Sequence, residues 1–380
     1  MAFLLNAPRA GLQPELDAFF DHALGAQEAR PVTKSALCQA RRQLHPEAQR
    51  ALVSHSGQVF AAHAEAPSWH GRRVLALDGS TLRVPDVPEC DAHFGGMNTS
   101  CGRFRPLARA SALFDVARGA FVDVVLGGFD EDERSLARRH LEFVGPNDLL
   151  LMDRGYPSRD LFHELISQGV PFCARISEAT WASVGHFAGA EHSDAVVDLG
   201  QPGAPLPLRL IRVLRPDGTQ LLVATNLFEQ QGTPEQFAQL YRARWRIEEA
   251  FKLIKARLQV ENWSGILPHT VEQDFYASVA RANCAAVLAW AARPQDAALD
   301  PEAGLDDRGW RQRLNRTLTL KSLRHYLPRL LLAMDLSTLI ERLLERLRSP
   351  SAIERTRPNR SEPRRKGVRI ADHHCAYKAA

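Results

Sequence analysis

FAQLYRARWRIEEAFKLIKARL, residues 237–258, is the stretch on which the reading of this chain turns. Its spacing predicts one amphipathic helix. At about 100° per residue, Tyr241, Arg244, Glu248 and Lys255 fall in one stripe roughly 60° wide. Ile247, Phe251, Ile254 and Leu258 form an adjoining apolar face. Such a helix can bury its apolar side and hold one carboxylate, one phenol and two cations at the edge of a core. That suits a place where metal and phosphate meet. It also suits an ordinary helix with a charged rim, so other carboxylates must decide. Glu249, the neighbour of Glu248, points away from both faces and is set aside.

The run VLALDGSTLRV places Asp78 at the end of a short apolar strand, Val74–Leu77, before Gly79. NDLLLMDRGYPSRDLF does the same for Asp153, which closes Leu149–Met152 ahead of a Gly-Tyr-Pro turn and a helix. In open α/β sheets, ligands bind outside the carboxyl ends of the strands. A single strand-terminal Asp is usually a turn former or helix cap. Two of them, followed by a carboxylate on the striped helix, are a rarer coincidence.

These residues carry a resemblance. Tyr241-x2-Arg244-x3-Glu248-x6-Lys255 matches the Y-R-E-K signature of the insertion-sequence-4 type of DDE transposases. LDGSTLRVPD around Asp78 and MDRGYPSRDLFHEL around Asp153 look like that family's two aspartate strands. The likeness covers roughly residues 70–265. It implies an α/β fold: a ribonuclease-H-like catalytic core interrupted by a β-rich insertion, with all-α N-terminal and C-terminal regions. In that core the first and fourth strands are neighbours, which would set Asp78 and Asp153 side by side. It also implies a DNA transposase that cuts at the ends of an element and joins them to target DNA.

The chemistry then has a physical rationale. Phosphodiester cleavage needs a strong nucleophile and relief of negative charge on the entering and leaving oxygens, which two divalent ions provide together. Mg2+ is a hard cation that prefers carboxylate, water and phosphate oxygens. The expected catalytic and metal ligands are therefore Asp78, bridging both ions, with Asp153 on one and Glu248 on the other. Mn2+ is expected to substitute. Tyr241, Arg244 and Lys255 are expected to hold phosphate, with Arg244 gripping it bidentately. Lys252, Arg103, Arg105, Arg41 and Arg42 complete the expected DNA-contacting set. Trp245 is read as packing at the core edge, with stacking on a displaced base as the alternative. Expected partners are double-stranded DNA, as terminal inverted repeats and target, and a second copy of the chain on that DNA. A metal-dependent nuclease without strand transfer and a transposase-derived DNA-binding protein stay open as other readings. The intact carboxylates weigh against the latter.

Composition sets the frame. A chain of 380 residues allows two or three domains, and 45% apolar with 24% charged residues is ordinary for a globular protein. The six cysteines include no C-x-x-C pair, so neither a disulfide framework nor a zinc ribbon is expected. Cys90, His93 and Cys101 lack a fourth ligand at the usual spacing. No signal peptide is read and no apolar run approaches the ~20 residues of a membrane span. The expected compartment is a reducing bacterial cytoplasm, at the nucleoid. The net charge of +4 conceals a basic end: from Arg348 onward nine Arg or Lys face Glu354, Glu362 and Asp372. That end is either a polyanion-binding arm or a solvated tail.

Residues 1–70 are expected to form a helical DNA-binding region, with Thr33 or Ser35 capping its second helix and Pro46 starting its third. Residues 71–178 and 229–292 form the expected core, with an irregular stretch over 86–106 and a hairpin across an Arg-Gly turn at 118–119. Residues 179–228 are the β-rich insertion, turning at Pro216-Asp217-Gly218. Residues 293–348 are a linker and C-terminal helices interrupted at Pro328, and 349–380 are a basic disordered tail.

Overall fold

Alternation along the strands divides the molecule into layers. In the computed structural model, which describes residues 1–6, 11–24, 32–99, 102–215, 218–228, 231–293, 311–332 and 336–356, four helices come first. These are α1 (Ala2–Leu5), α2 (Leu12–Leu24), α3 (Lys34–Gln43) and α4 (Pro46–His63). Thr33, and not Ser35, caps α3 by accepting from the Ala36 amide, and Pro46 opens α4. Next follow β1 (Arg73–Arg83), α5 (Pro88–Phe94), β2 (Gly96–Asn98), β3 (Phe104–Asp115) and β4 (Ala120–Gly128). Then come α6 (Glu133–Arg138), β5 (Asp148–Met152), α7 (Arg159–Ser167), β6 (Phe172–Arg175) and α8 (Ala182–Gly189). After them stand β7 (Asp194–Asp198), β8 (Pro207–Leu214), β9 (Gln220–Thr225), α9 (Pro234–Ala243), α10 (Trp245–Lys252) and α11 (Pro268–Ala291). The last elements are β10 (Arg311–Leu314), α12 (Arg316–Leu332), α13 (Ser337–Arg348) and β11 (Ile353–Thr356).

Nine strands make one mixed sheet in the order β4-β3-β1-β5-β6-β9-β8-β7, with β2 against the early end of β3. β1 runs parallel to β5, and β5 parallel to β6; the other pairings are antiparallel. Side chains alternate between faces every residue. Val74, Ala76, Leu149 and Leu151 therefore share one core with Val53 of α4, Ile247 and Phe251 of α10 and Phe275 of α11. Leu75, Leu77, Leu150 and Met152 share the other with Ala137, Leu161, Phe162 and Val184 of α6, α7 and α8. Helix α4 lies so close to the sheet that a Cβ on Gly57 would stand 2.5 Å from the Phe121 carbonyl oxygen. Helix α4 thus packs on the sheet as part of its cover.

Several expected boundaries move. β1 does not stop before Asp78; it stays paired with β3 as far as Arg83, because β3 offers partners well beyond the point where β5 ends. The stretch 86–106 is not irregular throughout: α5, β2 and the start of β3 lie in it. The strands of 179–228 continue the main sheet, since β9 pairs with β6. Helix α12 runs through Pro328, which is buried within it. Residues 350–356 are not tail but a short turn followed by β11, which pairs with β10. Cys101, Pro216, Asp217, the linker 294–310 and the basic end 357–380 lie outside the described residues. None of the described helices is long and apolar enough to cross a membrane.

Candidate active site

Register brings the first two carboxylates together. The last β1–β5 pair is Leu77 with Met152, so Asp78 and Asp153 both stand one step beyond it. Both continue the rows that face α9 and α10, Val74-Ala76-Asp78 and Leu149-Leu151-Asp153. Across from them, α9 begins with a capping box in which Thr233 and Gln236 satisfy each other's backbone amides, and Pro234 occupies the first turn. The stretch 237–258 is not one uniform helix. At Arg244 the backbone tightens, with bonds from its amide to Tyr241 O and from the Ile247 amide to Arg244 O. Leu253–Arg257 then form a π turn. The interruptions preserve the four-residue step from Arg244 to Glu248.

Arg244 stands at the centre. Only 4% of its side chain is exposed, and it meets all three carboxylates. Nη1 donates to Asp78 Oδ2 over 3.1 Å and Nη2 to Glu248 Oε1 over 2.7 Å. Nη2 also lies 3.8 Å from Asp153 Oδ2. Its Nε is buried without a hydrogen-bond partner. The Tyr241 hydroxyl donates to Asp153 Oδ1 over 3.0 Å. Arg175, at the end of β6, stands 3.9 Å from the same oxygen. Asp78 Oδ1 accepts from the Gly79 amide.

The electrostatics separate the two aspartates. Burial pushes the Asp78 carboxyl up to about 6, against the pull of Arg244 and the Gly79 amide, while Glu248 and Asp153 add to the rise. Burial also acts on Asp153, but the Arg154 amide, Arg244 and the Tyr241 hydroxyl together hold its carboxyl below the usual range. Burial raises the Tyr241 phenol, keeping it a donor.

The remaining expected residues scatter. Lys255 does not reach the carboxylates: its Nζ donates to Thr81 O over 2.6 Å, further along β1. Lys252 is exposed, with Nζ 5.9 Å from the Trp245 ring. Trp245 does not pack into the core edge; it is 48% exposed and borders a small groove with Leu214, Arg215 and Arg242. Arg103 pairs with Asp86, and Arg105 is half-buried opposite Met97 at the β2–β3 end of the sheet. Arg42 is exposed on α3. Arg41 is not available to phosphate, because it is buried on Gln273, Ser264, Asp274 and the Thr270 carbonyl. Spacing alone does not single out Arg175 or Tyr156. The Tyr156 hydroxyl is buried without a partner beside Gly79, and the only signal for it is the Gly-Tyr that follows Asp153.

Three oxygen-bearing side chains from β1, the end of β5 and α10 thus converge on one cation. The donor set is hard and suits Mg2+ or Mn2+. Among the described residues, however, no three His, Cys, Asp or Glu side chains already form a cage that would hold a metal. Cys90 and His93 do not combine either: the Cys90 thiol donates to Ile266 O, and His93 faces Glu272.

A sequence profile described as "Transposase DDE domain" matches residues 69–284, which contain all three carboxylates and the whole signature stretch. The chain is 27% identical over 260 residues to the transposase InsG for insertion sequence element IS4 of Escherichia coli K12, covering 64% of this chain and 58% of that one. A second protein of the same organism, InsZ, is 29% identical over 141 residues, 36% of this chain and 47% of its own length. The chain therefore spans about half the length of these relatives. Among solved structures, a piggyBac transposase synaptic complex with hairpin DNA aligns at a TM-score of 0.42 and 9% identity, over 85% of this chain and 63% of that chain.

Proposed function

The chain belongs to the transposase DDE domain family, and from that premise we propose that it is a DNA transposase, cutting DNA at element ends and transferring the freed strand into target DNA. The observation that carries this reading is the convergence of Asp78, Asp153 and Glu248 on the single guanidinium of Arg244. A focus of three carboxylates beside a phenol donor has no evident purpose in the fold. Partly buried anions in excess of their partners lose solvation without full compensation. The strand order around β1 and β5 supports a ribonuclease-H-like core.

Asp78, Asp153 and Glu248 are the residues that would hold two Mg2+ ions. Bound there, the ions supply Lewis-acid stabilisation of the entering and leaving oxygens and an activated water. The chain's own groups do the rest. The Tyr241 hydroxyl fixes the orientation of Asp153. The cations Lys252 and Arg42 are exposed and so available to the DNA backbone. Arg244, turned from the carboxylates, has the fork geometry to grip a phosphate through two parallel hydrogen bonds. Water is the first nucleophile and the freed 3′-hydroxyl the second, both attacking in line at one site. The working form in this reading is a dimer on DNA.

The test is direct. Asp78→Ala, Asp153→Ala and Glu248→Ala should each abolish Mg2+-dependent cleavage of duplexes carrying the element's ends while leaving end binding nearly intact. Cleavage retained by any of the three would remove that residue from the site.

A further inference from the structure

We infer that Arg244 is an internal cation that competes with divalent metal for the three carboxylates, so that metal loads fully only when a phosphodiester draws the guanidinium away. The inference rests on the metal-holding role proposed above. It follows from how the oxygens are used. Asp78 gives Oδ1 to the Gly79 amide and Oδ2 to Arg244. Asp153 gives Oδ1 to Tyr241 and turns Oδ2 toward Arg244 at 3.8 Å. Glu248 gives Oε1 to Arg244 at 2.7 Å. A divalent ion would draw on oxygens of the same three carboxylates for its first coordination sphere. Guanidinium and metal, both cationic, therefore compete for the focus.

The pairing has the marks of a temporary arrangement. With Arg on the N-terminal side of Glu at i,i+4, it is the orientation that helps a helix least. The guanidinium brings one charge to three carboxylates. Arg175 adds only a long contact, 3.9 Å, to Asp153. The Arg244 Nε, buried and unpartnered, gains nothing where it is. A phosphate offers this fork two parallel charge-assisted bonds and can compensate its departure from the carboxylates. Because the carboxylates are released in the same event, phosphate engagement and metal affinity become coupled, and the coupling is reciprocal.

The experiment measures Mn2+ binding to the full chain without DNA, by electron paramagnetic resonance of free Mn2+ and by calorimetry. Arg244→Gln should bind Mn2+ about tenfold or more tightly than the wild type. It should also show a larger rise in melting temperature on going from EDTA to Mn2+. Arg244→Lys keeps a charge at the site and guards against misfolding of the Gln variant; its single point charge cannot span three carboxylates, so its affinity should fall between the two. Equal or weaker Mn2+ binding by the folded variants overturns the inference and leaves the metal site standing. Absence of Mn2+ binding in the wild type and both variants overturns the metal site itself.

Discussion

The Tyr241 hydroxyl donates to Asp153 Oδ1 over 3.0 Å, joining helix α9 to the end of β5 across 88 residues of chain. This bond does two things at once. It satisfies a buried phenol, and it helps fix the rotation of a carboxylate that Arg244 and Arg175 approach only at 3.8 and 3.9 Å. Tyr241→Phe removes the donor and keeps the ring that packs in the core. The fold should survive, at a cost of about 1.5–3 kcal/mol for one hydrogen bond to a charged carboxylate. Cleavage of end-containing DNA should fall about 10–100-fold, the usual loss when a ligand's orienting partner is removed. Single-turnover cleavage beside a thermal melt checks both. Unchanged cleavage would mean that Asp153 is oriented without Tyr241.

The legible parts of the site are those written in local spacing. Tyr241, Arg244 and Glu248 recur at helical intervals, and Asp78 and Asp153 each follow an apolar run, so short-range pattern marks them as candidates and their combination carries the resemblance. What pattern does not show is pairing over distance. Arg41 and Arg42 read alike as exposed cations at a helix end. Arg41 is buried only because Ser264, Gln273 and Asp274, more than 220 positions away in the sequence, supply its acceptors. β1 outruns its apolar segment because its antiparallel partner β3 continues where its parallel partner stops. That the strands of 179–228 extend the main sheet is not legible, because nothing local reveals that β9 will sit beside β6. Arg244 reads as a phosphate ligand from its place in the stripe. That it first binds the carboxylates depends on two strands that the helix pattern does not contain.

Away from the site, Asp123 of β4 anchors a buried polar cluster. It accepts from Arg50 Nη2 at 2.8 Å, Ser54 Oγ at 2.9 Å and His140 Nδ1 at 2.7 Å, and His140 Nε2 lies 3.0 Å from Ser111 Oγ. Burial alone would raise this carboxyl, but the bonds from His140 and Arg50 hold it below its usual value. The sign of the linkage follows. The native carboxylate binds fewer protons than the unfolded one, so its stabilisation is fully present above about pH 4 and is lost as pH falls below that, toward the native value. Asp123→Asn should cost about 3–5 kcal/mol at neutral pH, because Arg50 then faces a buried neutral group. It should also flatten the decline of stability below about pH 4. Urea denaturation across that range provides the comparison. An equally steep acid decline in the variant would assign the linkage to another carboxylate.

The basic C-terminal end gives a prediction whose cut point depends on the fold. The sequence suggests a tail from residue 349, but Ala352 is buried, the Asn315 amide donates to its carbonyl, and Ile353–Thr356 pair with Arg311–Leu314. Truncation at 349 would strip a strand from β10 and confuse loss of charge with loss of structure. A chain ending at Thr356 keeps that pairing and removes seven Lys or Arg with only Glu362 and Asp372. Its melting temperature should stay close to that of the full chain. Its affinity for duplex DNA should fall, and the dependence of log affinity on log salt should flatten by about 0.9 for each phosphate no longer neutralised. Binding titrations between about 50 and 200 mM salt read the slope directly. A slope equal to that of the full chain would show that these seven cations neutralise no phosphates.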